Sequence, residues 1–114
     1  MLSEKEKPGL WGEIYAARFM RENGYAIITA NYRCRLGEID IIAKKDGFLV
    51  FTEVKTRSPG AIAPGREAVG SAKQERIIET ASLFMQKNNY DLQPRFDVAE
   101  VTLGKENEPM SCEY

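Results

Sequence analysis

An Asp-Gly step between two apolar runs governs what this chain can become. Ile-Asp-Ile-Ile-Ala (39–43) and Phe-Leu-Val-Phe-Thr-Glu-Val-Lys (48–55) flank Lys44-Lys45-Asp46-Gly47. Asp-Gly accepts positive φ at both central positions of a type I′ turn, the turn whose twist matches paired strands. Counting outward from Asp46 and Gly47, Lys45 faces Phe48, Asp40 faces Glu53 and Glu38 faces Lys55. Side chains alternate along a strand, so Glu53 and Lys55 share a face, and Asp40 and Glu38 join them there.

That register has an electrostatic cost. Facing residues carry Cβ atoms roughly 5 Å apart. Two carboxylates at about that distance repel by roughly 3 kcal/mol at an effective dielectric near 20. A hairpin built only for structure has no reason to carry such a pair. Two readings stay open on spacing alone. In one, a divalent cation held by oxygen ligands, Mg²⁺ or Mn²⁺, sits between Asp40 and Glu53. In the other, Lys55, Arg33 and Arg35 neutralise the acids in a plain salt-bridge network.

The 114 residues suit one domain with one core. Hydrophobic (43%) and charged (29%) shares are those of an ordinary globular protein, and no apolar run is long enough to cross a bilayer. The start, Met-Leu-Ser-Glu-Lys-Glu-Lys-Pro-Gly, lacks the apolar segment of a secretory signal. Cys34 and Cys112 have no metal-ligand spacing and read as free thiols, which agrees with a cytoplasmic location. The chain has no histidine, which excludes triad hydrolysis and histidine-ligated zinc. Any catalysis must run on carboxylates, lysine, tyrosine or bound metal.

Net charge is −1, so this is no generically basic nucleic-acid coat. Residues 33–76 nevertheless hold nine Lys/Arg against six Asp/Glu, and three of those acids are Glu38, Asp40 and Glu53. With those three set aside as metal or lysine partners, the surroundings are basic, which favours a phosphate-bearing partner. Arg33, Arg35, Arg57, Arg66 and Lys73 are the candidate phosphate contacts.

Hydropathy and turn signals predict the order α-β-β-β-α-β, a mixed sheet with helices packed on it. Residues 1–8 read as a polar tail. A helix spans about Leu10–Glu22, stopped by Asn23-Gly24. A strand follows near Tyr25–Thr29, then the hairpin, then a Gly/Pro-rich loop, Ser-Pro-Gly-Ala-Ile-Ala-Pro-Gly (58–65). A second helix covers about Glu67–Lys87, and Arg95–Leu103 form the last strand. From Gly104 the chain reads as an acidic, frayed tail.

In the first helix, Glu13 falls within the apolar stripe of Leu10, Ala16, Ala17 and Met20. It either snorkels or caps the helix start, or it delivers a third acid to Asp40 and Glu53. Trp11 and Tyr15 on the same helix read as core or rim rather than base-stacking groups.

Glu13, Asp40 and Glu53-x-Lys55 in this order resemble the PD-(D/E)XK nuclease superfamily, in the arrangement of archaeal Holliday-junction resolvases. Gly12-Glu13-x-x-Ala16, Asn31-Tyr32-Arg33, Gly37-Glu38-Ile39-Asp40, Phe51-x-Glu53-Val54-Lys55-x-Arg57, Lys73 and Arg95-Phe96-Asp97 are similar to the bacterial family called YraN. The match runs from about residue 9 to 103. Ile39 stands where the superfamily has Pro, and Ile suits a buried strand. The resemblance implies a restriction-endonuclease-like α/β fold and a metal-dependent nuclease acting on DNA, branched or damaged structures included. It further implies Mg²⁺ or Mn²⁺ on Asp40, Glu53, Glu13 and the Val54 carbonyl, with Lys55 and Glu13 as catalytic groups. The other class is a nucleic-acid-binding or interaction module that keeps the fold with weak or no catalysis. Whether the chain is a monomer or a homodimer stays open.

Overall fold

The computed structural model describes residues 8–57 and 70–114. Its elements are α1 (Pro8–Glu22), β1 (Ala26–Cys34), β2 (Gly37–Lys45), β3 (Phe48–Arg57), α2 (Ser71–Lys87), β4 (Gln93–Leu103) and β5 (Pro109–Glu113). The strands lie in sequence order in one sheet. Among the described residues only β3 and β4, joined through α2, run parallel. This is the mixed sheet flanked by helices that the sequence leads one to expect.

Asp46 (φ 49°) and Gly47 (φ 83°) both take positive φ, as the Asp-Gly turn requires. Pairing then follows the outward count from Lys45–Phe48 to Ile41–Thr52. Gly24 (φ 89°) ends α1 in the left-handed region, and Tyr25 N–H returns to the Met20 carbonyl at 2.9 Å.

The two sheet faces carry separate cores. On one, Ala16 and Met20 of α1 bury against Ile41, Ala43, Ala99, Val101 and Leu103. On the other, Ala81 and Phe84 of α2 bury against Ile39, Ile42, Leu49 and Phe51. Trp11 and Tyr15 pack at the edge of the α1 core, and the Tyr15 hydroxyl donates to the Asn107 carbonyl at 2.8 Å. Both are therefore rim residues, as expected. No helix among the described residues is long and apolar enough to cross a membrane.

Four boundaries differ from expectation. Pro8 already belongs to α1, with its fixed φ suited to a first helical turn; residues 1–7 lie outside the described residues. The first strand continues to Cys34, because Arg35 and Leu36 turn it directly into β2. The second helix begins at Ser71, since Gly70 is extended (φ −62°, ψ 153°); the loop at 58–65 and the helix residues expected from Glu67 to Val69 lie outside the described residues. The supposed frayed tail supplies β5 instead, antiparallel to β4. Its hold extends to Tyr114, whose ring meets those of Phe19 and Tyr25 and whose hydroxyl bonds the buried Thr52 side chain at 2.9 Å.

Candidate active site

The site forms where β2 and β3 part. Their ladder stops at Ile41–Thr52, and Val54 N–H donates instead to Asp40 Oδ2 at 2.8 Å. A side-chain acceptor has replaced a main-chain one. The pleat of β2 breaks at the same residue: Ile39 packs in the α2 core, whereas Ile41, two positions on, packs in the α1 core. Across from Asp40, in β1, Asn31 has φ 53°. Asn tolerates that left-handed conformation better than most residues.

Asp40 is thereby turned toward α1, where Glu13 waits. The Glu13 and Asp40 carboxyls line one depression, and each acts on the ionisation of the other. Burial, then the charge of Asp40, push Glu13 up to about 7. Burial likewise raises Asp40, partly offset by the Val54 N–H and by Glu13. Near neutrality Glu13 is therefore partly protonated beside Asp40. Glu13 lies in the second turn of α1, so the capping alternative does not hold. Its carboxylate is delivered to the hairpin.

Gly12 makes the delivery possible by letting α1 approach β3 closely. A Cβ at Gly12 would run into the Thr56 side chain, with the Thr56 Cβ itself at 3.0 Å. Gly12→Ala should cost about 1–3 kcal/mol by overpacking, read as a fall in the urea midpoint. Adding Thr56→Ala should return part of it. A Gly12→Ala protein as stable as wild type would show that the helix is not held this close.

Glu53 is where the expected geometry changes. Its carboxylate does not confront Asp40 across one face; Lys73 of α2 donates to it. Glu53 follows Phe51 on the α2 side of the sheet, while Asp40 has turned to α1 at the broken pleat. The two acids still feel each other, since the charge of Glu53 helps raise Asp40, and both line one groove. Glu38 pairs with Arg33 at 3.2 Å, not with Lys55. Lys55, half-buried two residues beyond Glu53, makes no ion pair with a described residue. The neutralising network of Lys55, Arg33 and Arg35 around Asp40 and Glu53 is therefore not formed.

The basic candidates separate. Arg33 lines the open depression of about 340 Å³ that holds Glu13, Asp40, Asn31 and Val54. Arg35 is exposed in the β1–β2 turn. Arg57 is tied to Glu100 at 3.0 Å, half-buried at the end of β3. Lys73 is engaged by Glu53, and Arg66 lies outside the described residues. Asp97, left undecided between the site and Arg95, pairs with Arg95 at 2.8 Å, and Arg95 also donates to Tyr25.

Two carboxyl groups at one depression, one of them with its affinity for a proton raised, fit a hard divalent cation, which prefers oxygen ligands and competes with protons for them. Among the described residues, no three Asp, Glu, Cys or His side chains converge closely enough to hold a metal together. Lys73 engages Oε1 of Glu53, so Glu53 joins such a set through its other oxygen or by exchanging Lys73 for the ion. Sequence reasoning missed the supporting roles of Thr56 and Asn31. It also missed a second cavity of about 380 Å³, beside the acids, between α2 and β4.

The family model described as Uncharacterised protein family UPF0102 matches residues 12–101, a span that contains Glu13, Asp40, Glu53, Lys55 and Lys73. A UPF0102 protein of Clostridium botulinum (strain Loch Maree / Type A3) is 45% identical over 101 residues, 87% of this chain and 82% of the relative. One from Caldanaerobacter subterraneus subsp. tengcongensis is 40% identical over 103 residues, 90% of this chain and 84% of the relative. One from Roseiflexus castenholzii is 36% identical over 119 aligned positions, covering 100% of this chain and 94% of the relative.

Proposed function

We propose that this chain, which belongs to the UPF0102 family, is a metal-dependent nuclease that hydrolyses phosphodiester bonds in DNA. The observation that carries the reading is the carboxyl-to-carboxyl meeting of Glu13 and Asp40 at an open depression, with Glu53 close enough to act on Asp40. The order Glu13, Asp40, Glu53-x-Lys55 is that of the PD-(D/E)XK superfamily, which the fold supports and the residues resemble.

Asp40 and Glu13 would hold Mg²⁺ or Mn²⁺, with Glu53 and the Val54 carbonyl as further oxygen donors. Such an ion, when bound, lowers the pKa of a coordinated water and polarises the scissile phosphate. Val54 N–H fixes the Asp40 rotamer, so the carboxylate need not reorganise when the substrate arrives. Lys55 acts as a compact point charge, orienting the attacking water or countering charge that builds on the phosphate oxygens. Arg33 at the lip of the depression meets the backbone phosphate. Lys73 leaves Glu53 for the phosphate as the strand enters. DNA is the partner by resemblance, with branched or damaged structures as the first substrates to try, and a cytoplasmic location suits that partner.

The Lys73–Glu53 pair supports a second reading, a nucleic-acid-binding module with weak or no catalysis, because it occupies an oxygen of one of the three acids. Cleavage of supercoiled plasmid and of branched oligonucleotides with Mg²⁺ or Mn²⁺ separates the two. A nuclease cuts only with the cation, and Lys55→Ala slows it by on the order of a hundred- to a thousandfold. Binding without cleavage under every cation would assign the chain to the module.

A further inference from the structure

The groove between α2 and β4 exists because α2 covers only part of the sheet. Ala81 and Phe84 close over β2 and β3, but on β4 Phe96 remains 46% exposed and Val98 43%. Ile78 of α2, 52% exposed, lines the opposite wall. Single exposed apolar residues are ordinary; three on two elements facing one concave space are not. Phe96 is also backed by an aromatic partner. Its ring stacks on the buried Phe51, with centroids 5.5 Å apart and planes 25° from parallel.

The rim has a different chemistry. Glu38 and Asp40 line both this groove and the depression that holds Glu13, so the two cavities adjoin. Glu53 and Lys73 stand at the same rim. Away from the phosphate, the Glu53 carboxylate at this rim can accept hydrogen bonds from an exocyclic amino group, as Asp and Glu do from cytosine. A volume of about 380 Å³ lies at the small end of ligand sites, which suits a single ring system.

We propose that this groove is a subsite for one unstacked nucleobase of the strand whose phosphate lies at Glu13 and Asp40. The proposal rests on the nucleic-acid reading above and narrows it to substrates with an unpaired or extruded base at the reacting nucleotide. The base stacks on Phe96, against Ile78 and Val98, with its amino edge toward the Glu53 carboxylate. Placing a base of a duplex in such a groove costs its stacking and pairing, and that cost is least where the base is already unpaired. Fully paired duplex is thereby disfavoured without any sequence readout.

The test uses oligonucleotides carrying the fluorescent base 2-aminopurine, either as a single unpaired bulge or paired with thymine in an otherwise identical duplex. Binding is measured with Ca²⁺, a hard cation of looser geometry than Mg²⁺. Wild type should bind the bulged form roughly tenfold or more tightly than the paired form, with a change in 2-aminopurine emission. Phe96→Ala should lose roughly tenfold on the bulge, the range of one base–aromatic stack, and nothing on the paired duplex. Ile78→Ala, on the facing wall, should act in the same direction and guards against a folding defect in the first variant. Equal affinity for both forms, or an equal loss on both in Phe96→Ala, overturns the base subsite and leaves nucleic-acid binding standing. Failure to bind either oligonucleotide overturns both readings. Self-association that Phe96→Ala abolishes, with no base preference, gives the groove to a second copy of the chain and also overturns the proposal.

Discussion

Asp40→Asn is expected to slow cleavage on the order of a thousandfold and at the same time stabilise the fold. Asparagine keeps an oxygen that can accept the Val54 N–H, so the local architecture survives. What it removes is the charge that Glu13 and Glu53 oppose. Loss of one electrostatic group at a reacting phosphate costs on the order of a hundred- to a thousandfold in rate, and loss of a metal ligand belongs at the upper end. Relief of the carboxylate pair, much of it open to water, should return about 1 kcal/mol at pH 8. Urea unfolding and plasmid cleavage on the same preparation measure the two effects. Were Asp40 merely part of a structural salt bridge, the substitution would lower stability, and that outcome would contradict the account.

The second large effect is a reversed pH dependence. Acids that are ion-paired in a fold have lowered pKa values and lend stability above them. Glu13 behaves oppositely, because burial and Asp40 push it from 4.5 up to about 7. Between those values the folded chain binds more protons than the unfolded chain, so stability must fall as pH rises across that window. The contribution is present below about pH 4.5 and gone above about pH 7. Discounted for the water that reaches Glu13, it amounts to about 1 kcal/mol. Urea midpoints at pH 5 and pH 8, without divalent cation, should show the loss in wild type and a flatter profile in Glu13→Gln. Identical pH profiles for the two proteins would refute the raised proton affinity of Glu13. Millimolar Mn²⁺ should restore stability at pH 8, because the ion takes the place of the proton.

Much of this was legible in the sequence, and the failures have physical causes. The Asp46-Gly47 turn set the register of β2 and β3, since only a primed turn matches their twist. Glu13 stood out in an apolar stripe, but helix periodicity alone left open whether it snorkels, caps the helix or faces Asp40. Where Asp40 points was not readable, because counting residues assumes an unbroken ladder and the Val54 bond breaks it. The Lys73–Glu53 pair was hidden for another reason: it joins a helix to a strand 20 positions away. β5 escaped because Pro109–Glu113 is short and mostly exposed, with its hold in main-chain pairing and in Tyr114. The groove depends on how far α2 reaches across the sheet, and no local pattern encodes that distance.

The central claim is that Glu13 and Asp40 form a cation site for which protons compete. Calorimetric titration of Mn²⁺ at pH 8 into wild type and Asp40→Asn tests it without any choice of substrate. The account predicts binding in the wild type, with affinity that falls as pH drops below about 7, and no binding in Asp40→Asn. Equal binding in both proteins, or none in either up to several millimolar, would contradict it.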